Sequence, residues 1–246
     1  MASKRHVIVG AGTGGLNAIT TIREIDHGAS EVVLVSVERP YSRMVLPYYL
    51  ARDITESHVF TANPSRLAQL KVTPHIGRRA ASLDTKANKL TLDNDTVIEY
   101  DDLLIATGSS PVRAPVPGAD SPGVHSFWTL DQARDVLKGI TPGSSVAMVG
   151  AGFIAFTILN SIVKLGAKLH IVEIASQILP RMVDQTGAEI VESWLTRHGV
   201  EVRTGAHLQS IEAANGRKRL RFQESSDLEA DVVIMATGIR PNLEWL

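Results

Sequence analysis

Two stretches of the chain open on the same hydrophobic pattern. Val7-Ile8-Val9 is a continuous apolar run, and glycines follow at once in Gly10-Ala11-Gly12-Thr13-Gly14-Gly15. A short apolar run bounded by glycine predicts a strand buried on both faces, as in a parallel sheet. A helical stretch from Leu16 to about Ile25 comes next, then a second apolar strand, Val32-Val33-Leu34-Val35. The order returns in the second half. There Val146-Ala147-Met148-Val149 is the strand and Gly150-Ala151-Gly152-Phe153-Ile154-Ala155 the turn. An amphipathic helix, Phe156 to Leu165, is closed by Gly166, and Leu169-His170-Ile171-Val172 is the next strand.

Each half then turns to short alternating strands. Lys89–Leu92 and 96–100 flank the turn Asp93-Asn94-Asp95, and a later hairpin turns at Asn215-Gly216. A helix is expected at about Thr186–His198, ahead of Val200-Glu201-Val202-Arg203. Both halves close on an apolar strand running into Ala-Thr-Gly, at Ala106-Thr107-Gly108 and Ala236-Thr237-Gly238. Between them lies a stretch rich in proline and glycine, Pro111 to Gly123, which reads as a linker. A short helix near Leu130–Leu137 follows it. The reading is an α/β protein with two Rossmann-like dinucleotide-binding lobes, each with a parallel sheet and an antiparallel β excursion. The lobes are placed at 1–115 and 116–246.

The glycines carry the chemistry. In G-x-G-x-x-G the first glycine permits the tight turn and the second lets a pyrophosphate approach the backbone. The third lets helix and strand pack closely, and the helix N-terminus offers free N–H groups to the phosphates. One such motif is weak; a feeding strand, a following helix and an acid after the next strand make it specific. Gly10, Gly12 and Gly15 fill the first motif, with Glu38 about two residues past the strand. Gly150, Gly152 and Ala155 fill the second, with Glu173 directly after Val172, placed to accept hydrogen bonds from ribose hydroxyls. Ile174 and Ala175 come next, so no neighbouring cation awaits a 2′-phosphate, which favours NADH over NADPH at that site.

Composition removes alternatives. The chain has no cysteine, which excludes thiolate metal sites, cysteine-bound clusters and any catalytic thiol. Its net charge of −1 gives no pull toward nucleic acid or anionic membrane. The densest basic run, Arg217-Lys218-Arg219-Leu220-Arg221, reads as a solvated hairpin arm. No segment reaches the roughly 18 apolar residues of a spanning helix, and a soluble cytoplasmic protein is expected. The eight histidines are scattered, with no metal-ligand spacing, and His170 reads as a satisfied core residue. No metal site and no catalytic residue are assigned.

The motifs together resemble the pyridine nucleotide–disulfide oxidoreductase superfamily. They include the two glycine turns, Pro40-Tyr41-Ser42-Arg43, Tyr100 to Gly108, Glu173, Leu179-Pro180-Arg181-Met182, and Ala236 to Asn242. The resemblance implies FAD on Gly10, Gly12, Gly15 and Glu38, flanked by Arg43, Ala80, Thr107 and Gly108. It implies NAD(P)H, NADH favoured, on Gly150, Gly152, Ala155, Glu173 and Gly238. Arg43 also reads as a surface side chain, and Ala80 could offer only its backbone.

Relatives with thiol chemistry carry a cysteine where this chain has Met44, so thiol-based steps are out. A glutamate common in the family is replaced by Thr157, and a lysine by Tyr48. The resemblance also implies a return to the first lobe with a Gly-Asp, and an interface domain, beyond these 246 residues. The implied activity is hydride transfer from NADH or NADPH to FAD, then electron transfer to an acceptor such as a rubredoxin- or ferredoxin-like protein. Oligomerisation is implied for the full-length form. Two readings stand beside it: a non-catalytic nucleotide-binding subunit that needs a partner chain to complete the FAD site, and an adenine-nucleotide sensor.

Overall fold

In the computed structural model, which describes residues 3–246, both apolar runs become central strands of parallel sheets. The first half runs β1 (Arg5–Val9), α1 (Thr13–Asp26), β2 (Glu31–Ser36), α2 (Leu46–Leu50), α3 (Pro64–Gln69) and β3 (Val72–Ile76). It continues with β4 (Ala80–Asp84), β5 (Lys89–Leu92), β6 (Val97–Glu99), β7 (Asp102–Ile105) and β8 (Ser109–Pro111). The second half runs β9 (Val124–Ser126), α4 (Leu130–Gly139), β10 (Ser145–Val149), α5 (Phe153–Lys164), β11 (Lys168–Val172), α6 (Gln185–Arg197) and β12 (Glu201–Arg203). It closes with β13 (Leu208–Ala214), β14 (Arg217–Phe222), β15 (Leu228–Ala230), β16 (Val232–Met235) and β17 (Ile239–Pro241).

The chain divides into two compact units, each discontinuous. Unit 1 is Met1–Arg43, Thr55–Ser110 and Pro241–Leu246; unit 2 is Met44–Ile54 and Pro111–Arg240. Where the sequence reading drew one boundary at 115/116, the chain changes unit at Ser110/Pro111 and again on either side of α2. The last six residues, Pro241–Leu246, lie in unit 1.

Unit 1 is built on the parallel sheet β3-β2-β1-β7. Successive side chains of a strand face opposite sides, so β1 serves two cores. Val7 and Val9 join Val33 and Val35 against Ala80, Leu90, Leu92 and Ile98 of the antiparallel sheet β4-β5-β6. Ile8 joins Val32 and Leu34 against Ile19 of α1 and Leu67 of α3. Helix α1 ends where His27 and Gly28 turn left-handed, with φ of 53° and 89°. Arg23 ties that end down: Nε donates to Leu70 O (2.6 Å) and Nη2 to Lys71 O (2.9 Å). Asp26 accepts from the Ser30 hydroxyl and from the N–H groups of Gly28 and Ser30. These donors, the Ser30 hydroxyl above all, hold its carboxyl well below the usual carboxylate range.

Unit 2 repeats the plan with one more strand, in the order β12-β11-β10-β16-β9. Ala147, Val149, Val172, Val233 and Met235 form one core with Ile211, Leu220, Phe222, Leu228 and Ala230 of the antiparallel sheet β13-β14-β15. Helices α4 and α5 pack on β9, β16 and β11. Asn215 and Gly216 turn the β13–β14 hairpin with φ of 49° and 79°, the geometry of a type I′ turn. The basic run is the middle strand of that sheet. Its arginines are ion-paired, Arg219 with Glu229 (2.8 Å), Arg217 with Asp231 (3.0 Å) and Arg221 with Glu212 (2.9 Å). His170 is half-buried on β11, with Nδ1 2.9 Å from Glu201 Oε2 on β12. Unit 2 also holds α2, through buried Leu46 and Leu50, the Ser161 hydroxyl donating to Pro47 O (2.8 Å), and a Lys164–Asp53 ion pair.

Candidate functional site

In unit 1 the glycine turn is forced by its neighbours. Gly10 has φ of +115°, and a Cβ there would lie 2.1 Å from Ala106 O. A Cβ on Gly15 would lie 1.9 Å from Gly10 O, so this glycine lets α1 close onto the turn. Gly12 is different: it caps α1 with φ of −75°, and a Cβ on it would meet nothing within 4 Å. Its need for glycine comes from neither backbone strain nor packing, and open space over the backbone at the start of a helix is the feature a phosphate requires.

Around this turn the structure gathers most of the candidate residues of unit 1. Glu38 accepts from the Tyr41 hydroxyl at Oε1 (2.8 Å) and from Arg43 Nη2 at Oε2 (3.3 Å). Each carboxylate oxygen keeps a second lone-pair position for another donor. Arg43 also donates from Nη1 to Ser109 O (3.2 Å), so it is a fixed link between the acid and the Thr107–Gly108 segment. Ala80 is buried, with its methyl in the core shared by β1 and β5, so only its backbone could face a ligand. Thr107 donates its hydroxyl to Asn242 O (2.8 Å), and Gly108 adopts φ of +66°.

Unit 2 builds the same turn with one difference. Gly150 has φ of +104°, and a Cβ there would lie 2.5 Å from Ala236 O; Gly152 caps α5 and has nothing within 4 Å of its Cβ position. Ala155 is fully buried in α5, where its methyl fills the place of a third glycine. Glu173, only 8% exposed, accepts from Ala151 N (2.6 Å) and Ala175 N (2.9 Å). It therefore braces the glycine turn as well as ending β11. Gly238 is exposed at φ of +124°, with open space around its Cβ position. Thr157 donates its hydroxyl to Ile154 O within its own helix (2.7 Å), and Met44 is 77% exposed.

Sequence reading missed the residue in unit 1 that matches Glu173. Gly10 N donates to Val35 O and Gly150 N to Val172 O, so Ser36, the last residue of β2, stands where Glu173, just after β11, stands in unit 2. Ser36 accepts from Ala11 N (3.3 Å) and donates to Glu38 O (2.8 Å). A weak hydroxyl brace thus replaces the carboxylate, and the acid follows two residues later. The repeat itself was the signal, because aligning the second apolar strands, Val32–Val35 with Leu169–Val172, sets Ser36 against Glu173. Asn242, whose four hydrogen bonds reach Thr107, Gly108 and Ser110, was also not assigned a site role.

Among the described residues, no group of three or more His, Asp or Glu side chains is placed to hold a metal, and no helix is long and apolar enough to cross a membrane.

Two strand–glycine–helix devices, each followed by an antiparallel sheet and a closing strand, define a protein with paired dinucleotide-binding folds. Residues 4–246 match the family model described as pyridine nucleotide-disulphide oxidoreductase, and the chain belongs to that family. It is 29% identical over 243 residues to the NADH-dependent phenylglyoxylate dehydrogenase subunit epsilon of Aromatoleum evansii, covering 98% of this chain and 58% of the relative. It is 31% identical over 243 residues to rhodocoxin reductase of Rhodococcus erythropolis, covering 97% and 56%. A ferredoxin reductase structure from Rhodopseudomonas palustris superposes with a TM-score of 0.91 at 24% identity, covering 98% and 60%, and shows the shared fold. The chain spans a little over half the length of both these relatives.

Proposed function

We propose that this chain is the nucleotide-binding part of a flavoprotein oxidoreductase, binding FAD in unit 1 and NAD(P)H, preferably NADH, in unit 2. The observation that carries the reading is the paired open backbone at Gly12 and Gly152. At each, a Cβ would meet no atom of the surrounding fold within 4 Å, yet the sequence has glycine. In unit 1, Gly10, Gly12, Gly15 and Glu38 would hold FAD, with Arg43, the Ala80 backbone, Thr107 and Gly108 beside it. In unit 2, Gly150, Gly152, Ala155, Glu173 and Gly238 would hold the nicotinamide dinucleotide. FAD and NADH, when bound, supply the hydride chemistry, and the protein's share is binding and orientation. The acceptor we favour is a small redox carrier protein, because relatives with nearly full coverage of this chain include rubredoxin and rhodocoxin reductases.

The test is the visible absorption spectrum of the purified protein with FAD, before and after anaerobic NADH, with NADPH in parallel. Bleaching by NADH is the expected result. A bound flavin that stays oxidised under both nucleotides rules out the reading for this chain.

A second reading, a subunit whose FAD lobe is completed by a partner chain, draws on the sheet edges. In unit 2 the outer edge of β16 pairs with β9, through Val233 with Val124 and Met235 with Ser126. In unit 1 the equivalent strand β7 is an edge, and Leu104 and Ile105 on it are 40% and 39% exposed. An apolar edge strand is a template for pairing. Co-purification with a chain that restores flavin turnover supports this reading; turnover by the isolated chain excludes it.

A further inference from the structure

The two closing segments carry one short text twice: Thr107-Gly108-Ser109-Ser110-Pro111-Val112 and Thr237-Gly238-Ile239-Arg240-Pro241-Asn242. Val112 and Asn242 therefore occupy equivalent places, four residues after their own glycines. Each binds the Thr-Gly of the other segment. Val112 N donates to Gly238 O (2.9 Å), and the Thr237 hydroxyl donates to Val112 O. Asn242 N donates to Gly108 O (3.0 Å), and the Thr107 hydroxyl donates to Asn242 O (2.8 Å). The main-chain pattern is the same in both exchanges, so the side chain is what sets them apart. Asn242 Nδ2 donates to Thr107 O (2.9 Å), and its Oδ1 accepts from the Ser110 hydroxyl (2.7 Å). Valine can do neither.

From this asymmetry we infer that Asn242 is a positioning residue for the first dinucleotide site. It fixes the Thr107–Gly108 wall before any ligand arrives. The wall matters because it continues from Ala106, whose N–H donates to Val9 O (2.8 Å) and whose carbonyl sits where a Gly10 side chain would be. Arg43, bound to both Glu38 and Ser109 O, reaches the same segment from the other end. Three residues beyond Asn242, Trp245 packs against the core that contains Val7 and Val9. Residues 241–246 thus form a strap on unit 1, anchored by an indole and buckled by an amide. A wall held in place ahead of binding does not have to be ordered by the ligand, which raises affinity.

The inference rests on the reading that Thr107 and Gly108 flank FAD, so the experiment separates the two. Asn242→Ala and Ser110→Ala are compared with the unaltered chain by amide hydrogen exchange without ligand, and by FAD and NADH titration. For Asn242→Ala, exchange across Ala106–Ser110 is expected to quicken about tenfold while Thr237 and Gly238 are unchanged, as two lost neutral hydrogen bonds imply. FAD should bind about tenfold more weakly and NADH within twofold of the original. Ser110→Ala, which removes one of the two bonds, should shift FAD in the same direction by less. Unchanged exchange across Ala106–Ser110, or equal losses for FAD and NADH, would overturn the proposal. If the unaltered chain binds no FAD, the cofactor reading fails, and the exchange comparison still decides the role of Asn242.

Discussion

Glu173 and Ser36 stand at one position of a repeated device, which turns a mutation pair into an internal measurement. Glu173→Ala removes the acceptor of two backbone N–H groups, at 2.6 and 2.9 Å, in a place where the side chain is 8% exposed. Hydrogen bonds to a charged group contribute about 1.5–3 kcal/mol each, and a stranded buried donor costs a similar amount. Water entering the vacated space recovers part of this. The expected destabilisation of unit 2 is about 2–4 kcal/mol. Ser36→Ala removes two neutral bonds, at 3.3 and 2.8 Å, and should cost unit 1 about 1–2 kcal/mol. Urea unfolding followed by tryptophan emission reads the first change, since Trp128 and Trp194 both lie in unit 2. Amide exchange at Ala151 and Ala11 reads each turn separately, so the comparison does not depend on two-state unfolding of the whole chain. NADH affinity should fall at least tenfold in Glu173→Ala if, as proposed, this carboxylate also accepts from the ribose, because the turn loosens as well. A cost below about 1 kcal/mol with unaltered exchange at Ala151, or a Ser36→Ala cost equal to that of Glu173→Ala, would refute the reasoning.

Three further outcomes follow from the same geometry. Gly10→Ala places a methyl 2.1 Å from Ala106 O at φ of +115° and should unfold or grossly loosen unit 1, read as lost thermal cooperativity. Gly12→Ala, with open space and ordinary φ, should cost about 1 kcal/mol or less yet abolish FAD binding; retained binding would show that the phosphates lie elsewhere. Asp26 has a lowered pKa in the folded protein, so its stabilisation is complete above about pH 5, where the unfolded carboxyl is already ionised. That stabilisation fades as pH falls toward the folded value. Asp26→Asn should therefore lower the melting temperature at pH 7 and flatten its decline below pH 4; an unchanged acid slope would count against the Ser30–Gly28 clasp.

Much of this molecule was legible in its sequence because the signals are local and occur twice. Val7–Val9 and Val146–Val149 are apolar on both faces, which only a central parallel strand accommodates, and the strain at Gly10 and Gly150 is announced by glycine at those places. The Asn215-Gly216 hairpin was equally plain, since few other pairs take two positive φ angles. Helix α5 was read as starting at Phe156, yet it begins at Phe153, because a capping glycine offers no side-chain signal for the first turn. Tertiary structure alone decided the rest. No periodicity tells that residues 44–54 leave unit 1 to pack on α5, or that 241–246 come back to it, because those choices depend on which distant surfaces they bury. Nor could spacing show that Arg43 is pinned between Glu38 and Ser109, that Glu173 spends its carboxylate on the Ala151 turn, or that Asn242 closes on Thr107. Those contacts join positions up to 135 residues apart in the chain. Local propensity is blind to such pairs, and only the packed sheets bring them within hydrogen-bonding distance.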